Sequence, residues 1–179
     1  MSMRVVLERG PKAKKFAAFA VDWPGWSRGA KTAEAAIETL AAYRERYRPI
    51  AVRAGLERTF DECGPLEVVE DRVGPGSTDF WGISFARGGG RDRDTIIRHT
   101  IRVESEQFAR KVGVVVPEQG ALGPALAPYR TRFLAAMRAY QRGEITRPMR
   151  SWTLPYLVRH SAFHTMDHAW EMEDKDLSG

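Results

Sequence analysis

Apolar positions in the first 22 residues fall in two short β-rich runs. MRVVLE (3–8) and KFAAFAVD (15–22) are separated by Arg9, Gly10 and Pro11, a turn signal that predicts a hairpin. After the loop WPGWSRGAKT the spacing changes. Ala36, Ile37, Leu40, Tyr43 and Tyr47 follow a helical period over 33–53, with Thr32 as N-cap and Pro49 expected to kink or end the helix near Arg48. From Gly55 to Gly90 the pattern is extended again. LEVVEDRV and TDFWGISF read as strands, with Gly74, Pro75 and Gly76, and then Gly88, Gly89 and Gly90, as turns or hinges.

The remainder is helical in period. Asp92 or Asp94 can cap a helix that runs to about Lys111 and closes at Gly113 and Pro117. Leu126, Phe133, Leu134, Met137 and Tyr140 predict a helix between Pro124 and Gln141, with Gly143 beyond its end. The last helix starts at Thr153, with Pro155 in its first turn, and reaches about Glu173. Four helices of this length suggest a bundle, and the strands beside them make the class α+β. No internal repeat or low-complexity segment is visible. At 179 residues the expectation is a single compact unit over 1–179.

Composition narrows the function classes. No run of about 18 apolar residues exists and MSMRVVLERGPKAKK lacks a secretory h-region, so the expectation is a cytoplasmic protein with no membrane partner. The lone Cys63 removes a disulfide framework and a thiolate zinc site. The net charge of +5 comes largely from arginines scattered among acidic residues. Only Arg87 to Arg102 is locally basic, and it contains Asp92 and Asp94, so nucleic acid is an unlikely partner by this pattern.

The chemistry lies in the histidines. His160, His164 and His168 repeat every four residues in RHSAFHTMDHAWEMED, and each such step on an α-helix turns a side chain by only ~40° and raises it ~6 Å. Two imidazoles of such a pair can meet one ion. His99, between Ile96 and Val103, is expected to face inward from its own helix. One histidine there and an HxxxH pair on the last helix would supply three nitrogen ligands and leave a position open, as a catalytic divalent ion commonly requires.

The segments WTLPYLVRHSAFHTMDHAWEMED and GGGRDRDTIIRHTIRVESEQFARK resemble the DinB family of four-helix-bundle proteins, in which a histidine of the second helix and an HxxxH pair of the last form a metal site. By motif position the pair corresponds to His164 and His168, favoured over His160 and His164 by the Ala169, Trp170 and Glu171 that follow, and His99 corresponds to the upstream ligand. The resemblance implies an antiparallel bundle from 33–55 and 91–174, with a small β element from 3–32 and 56–90. It further implies a divalent cofactor (zinc, nickel, manganese or iron) and a small-molecule substrate, with a low-molecular-weight thiol used in S-transfer or isomerisation. Homodimers are common in that family.

Around the ligands, His160, Asp167 and Trp170 are candidate pocket residues. Asp167, Glu171 and Glu104 are carboxylates that could orient an imidazole, and Glu171, three residues past His168, is the candidate catalytic group. Arg98, Arg102 and Arg159 could hold a substrate carboxylate. The stretch KFAAFAVDWPGWSRGAKTAEAAIETL also resembles the start of HicB-like antitoxin domains. The competing reading is therefore a non-catalytic module that binds a protein or small ligand through the N-terminal sheet.

Overall fold

The computed structural model describes residues 1–74, 92–115, 123–147, 149 and 152–176. The protein is a mixed α+β chain whose contacts cluster in two compact units, Met1–Ala86 and Arg87–Gly179.

The first unit is a four-stranded sheet with helices. β1 (Met3–Arg9) and β2 (Phe16–Ala20) form the predicted antiparallel hairpin, β3 (Ser27–Ala30) adds antiparallel to β2, and β4 (Leu66–Val73) returns parallel to β1, giving the order β3-β2-β1-β4. Because β1 is central, Met3, Val5, Val6, Leu7 and Glu8 are all buried, which explains a near-continuous apolar run where a half-exposed strand would alternate. Among the described residues β4 is an edge strand, and it carries exposed residues almost throughout, as a charged, solvated edge should. The proposed second strand of the insertion, TDFWGISF, lies outside the described residues, as do the glycines 88–90.

The helical period over 33–53 is realised as two helices, α1 (Ala33–Ala42) and α2 (Arg44–Arg53), followed by the short α3 (Glu57–Asp61). Thr32 caps α1 as expected, its Oγ1 accepting from the Ala35 N–H at 3.2 Å. Pro49 does not end the helix but lies within α2. The break comes upstream at Tyr43, between α1 and α2. This segment belongs to the first unit, where α1 packs on β2 and β3 and Ala36 and Leu40 are buried.

Aromatics close this core. Trp26 stacks on Tyr47 at 5.5 Å and Trp23 meets Phe60 edge-on at 4.9 Å. The indole N–H of Trp26 donates to the Leu40 carbonyl and the Tyr47 hydroxyl to that of Pro24, each at 2.9 Å, so neither large side chain is buried with its polar atom unsatisfied. Burial pushes the Tyr47 hydroxyl up to about 12.

The described residues of the second unit contain three long helical stretches. α4 (Arg93–Val103) continues through a π-helical turn, Glu104–Phe108, into Ala109–Lys111, and α5 (Leu126–Gln141) and α6 (Leu154–Asp176) follow. Asp92, rather than Asp94, caps α4 by accepting from the Thr95 N–H at 2.7 Å. Gly113 closes the stretch with φ of +78°, a left-handed conformation that glycine adopts without a Cβ penalty; Pro117 lies outside the described residues. Thr153 caps α6 through the Tyr156 N–H. The core gathers Ile101, Val103, Phe108, Ala109, Val112, Tyr129, Phe133 and Leu157. Leu134, assigned to the apolar face of α5 by its period, is exposed, and Tyr129 is buried in the core.

Candidate metal centre

α6 buries an unusual stripe. Its inward positions Leu157, His160, His164 and His168 recur every three or four residues, flanked by Phe163, Asp167 and Trp170. A helix normally fills such a stripe with apolar residues, so three buried imidazoles and a buried carboxylate mark a face selected for something other than packing. α4, which packs against α6, brings His99 to it. The rings of His99, His164 and His168 lie 5.4 Å (99 to 164), 5.1 Å (99 to 168) and 4.7 Å (164 to 168) apart. One nitrogen from each can be chosen so that all three lie within 4.8 Å of one another, and this cluster can hold a metal ion.

The atoms of His168 supply the most informative test of fit. Its Nδ1 lies 2.9 Å from Glu171 Oε2, and Lys175 Nζ donates to the other oxygen, Oε1, at 2.7 Å. Burial pushes Glu171 up, but the hydrogen bonds from Lys175 and His168 outweigh it and hold the carboxyl below its ordinary value. Glu171 is then an acceptor only, so Nδ1 carries a proton toward it, and in the neutral ring Nε2 holds the lone pair. That Nε2 is buried and has no hydrogen-bond partner among the described residues. A buried, unsatisfied nitrogen costs free energy unless something accepts its lone pair, and a divalent cation does so. The donor set, three imidazoles with one fixed by a carboxylate behind it, suits a borderline ion such as zinc.

The remaining candidates are distributed unevenly. His160 is buried one turn before the ligand pair, stacked on Tyr156 and edge-on to Trp152 and Phe108, and it is not among the three clustered histidines. Trp170 is only 1% exposed. Asp167 is buried. Glu104 is committed elsewhere: it forms a bidentate pair with Arg130 of α5, both contacts at 3.1 Å. Arg98 and Arg102 are exposed on α4, and Arg159 is half-buried on α6. Sequence reasoning missed Lys175, although its four-residue spacing from Glu171 is a readable signal. It also missed the π-turn, for which no local signal is evident.

Comparison with protein-family models, curated proteins and solved structures finds no match for this chain. Among the described residues no helix is long and apolar enough to cross a membrane.

Proposed function

We propose that the chain is a DinB-like protein whose second unit binds one divalent metal ion through His99, His164 and His168 and uses it in thiol-dependent chemistry on a small molecule. The observation that carries the reading is the buried His168 Nε2, oriented by Glu171 and facing two further imidazoles. His164 and His168 supply adjacent ligands from one helix face, and His99 closes the set from α4. Glu171 is a positioning residue here, since His168 and Lys175 occupy both of its oxygens. It keeps His168 in one tautomer and one rotamer. A divalent ion at this position supplies the positive charge that stabilises the anion of a low-molecular-weight thiol near neutral pH. The half-exposed edge of His99, against the burial of the other two, makes its side the approach for a substrate.

The alternative is a binding module centred on the first unit, where edge strand β4 exposes Val68, Val69 and Val73 and can extend its sheet with a partner strand. Elemental analysis of tag-free protein separates the two readings. Near one equivalent of metal per chain in the wild type, lost in His164→Ala, supports the metal-dependent enzyme and justifies a screen for thiol-dependent transfer. No metal in either protein after zinc or nickel is offered refutes the triad and favours the binding module.

A further inference from the structure

The second unit also contains a cleft of about 400 Å³ that shares no residue with the histidine cluster. Three cations line it, Arg110, Lys111 and Arg147, with Glu106 and Gln107 beside them and an apolar wall of Met149 and Trp152. We propose that this cleft is a binding site for a small organic dianion, a phosphate monoester or a dicarboxylate.

Three observations support the assignment. Among the described residues the charge is unbalanced: three cations and one carboxylate, Glu106, line the cleft, and the ion pairs formed include neither Arg110 nor Arg147. The site is also built. Lys111 Nζ sits 4.7 Å above the Trp152 ring, and that indole is held edge-on against Tyr156 at 4.8 Å and His160 at 5.4 Å, so the ammonium is positioned by an aromatic face before any ligand arrives. The backbone of Arg147 is fixed as well, its carbonyl accepting from the Tyr140 hydroxyl at 2.8 Å. Finally, the π-helical turn Glu104–Phe108 supplies Glu106 and Gln107 to the cleft while burying Phe108. An irregular turn of this kind costs helical hydrogen bonding and is frequently found at functional sites.

The volume decides between a bare ion and a larger molecule. Clefts of a few hundred Å³ suit small organic ligands, and Met149 and Trp152 provide apolar surface for a carbon body that inorganic phosphate lacks. Two guanidinium forks and an ammonium match the oxygens of a phosphate or of two carboxylates. The site is separate from the metal ligands: Phe108, buried, touches both Trp152 and His164, so an aromatic side chain intervenes.

The test is an NMR titration of the full chain, following the Trp152 indole N–H signal assigned by its loss in Trp152→Phe. Phenyl phosphate, phthalate and inorganic phosphate are the probes. A saturable shift is expected with at least one organic dianion, and the tighter of the two identifies the phosphate or the dicarboxylate as the preferred class. Inorganic phosphate should bind about tenfold more weakly for want of apolar contact. Arg147→Gln should weaken the organic probe about tenfold, as loss of one charge-assisted contact predicts, and Glu106→Gln should tighten it. Arg132→Gln, on the exposed face of α5 and outside the cleft, should change nothing. Since Glu106 and Arg147 are exposed, these variants keep the fold. No saturable shift with either organic probe, equal affinity for inorganic phosphate, or an Arg147→Gln variant that binds as the wild type does would each overturn the proposal.

Discussion

If Glu171 fixes the tautomer and rotamer of His168, neutralising or removing it should weaken metal binding without removing a ligand. The hydrogen bond is 2.9 Å long and the Glu171 side chain is only 17% exposed, so water replaces it poorly. Loss of such an orienting carboxylate typically costs 10- to 100-fold in metal affinity. Glu171→Gln keeps the shape and an acceptor oxygen but gives up the charge, which places it near the lower bound, about tenfold or ~1.4 kcal/mol. Glu171→Ala removes the acceptor and belongs near about 100-fold. Lys175→Met, which leaves the His168 contact intact and loses a partly exposed ion pair, should cost about threefold or less. The assay is competition for zinc against a fluorescent chelator at fixed pH, with His168→Ala as the ligand-deletion reference. If Glu171→Ala binds zinc within about twofold of wild type while His168→Ala does not bind it, the carboxylate does not orient the ligand.

Four further outcomes follow from the structure. Zinc at about 100 times its Kd should stabilise the second unit by ~2.7 kcal/mol, read as a rise in Tm that His164→Ala abolishes. Arg130→Met leaves the buried Glu104 without its partner; calorimetry should show a loss of about 2 kcal/mol, below the value for a fully buried pair because Arg130 reaches water. Thr32→Ala should cost about 1 kcal/mol in denaturant unfolding of the first unit, since the α1 cap is then lost. Hydrogen bonds from the Thr95 backbone and side chain hold the Asp92 carboxyl below its ordinary value. Its contribution is therefore present in full above the unfolded carboxylate value and is lost as pH falls through the lower folded value. Asp92→Asn keeps a capping acceptor, so it should remove this acid-sensitive component while leaving helicity at neutral pH nearly unchanged, as circular dichroism across an acid titration would show.

Local signals in this chain carried local structure well. The turn at Arg9 to Pro11, the caps at Thr32, Asp92 and Thr153 and the glycine stop at Gly113 are all short-range devices, each read from a few neighbouring residues and each present in the fold. The reading failed where the answer depended on distant partners. A helical period over 33–53 says that one face is apolar, but not whether that face meets a sheet or another helix; α1 lies on β2 and β3. Pro49 shows the same limit at shorter range, since it lies within α2 while the period is interrupted at Tyr43. On α5, Leu134 is exposed and Tyr129 is buried, because apolar character alone does not distinguish two adjacent stripes of one helix.

For the candidate site, spacing alone placed His164 and His168 on one face of α6, because a four-residue step on a regular helix leaves no alternative. The sequence also excluded a thiolate site by holding one cysteine. Tertiary structure decided the rest. It brought His99 to that pair from a helix more than sixty residues away in the chain, left His160 among aromatic rings and committed Glu104 to Arg130. It also gathered residues from the π-turn, the end of the α4 stretch and the segment before α6 into one cationic cleft. The division has a simple cause: helix periodicity fixes which side chains share a face, while the packing of one face on another depends on the summed burial of many residues far apart in the chain.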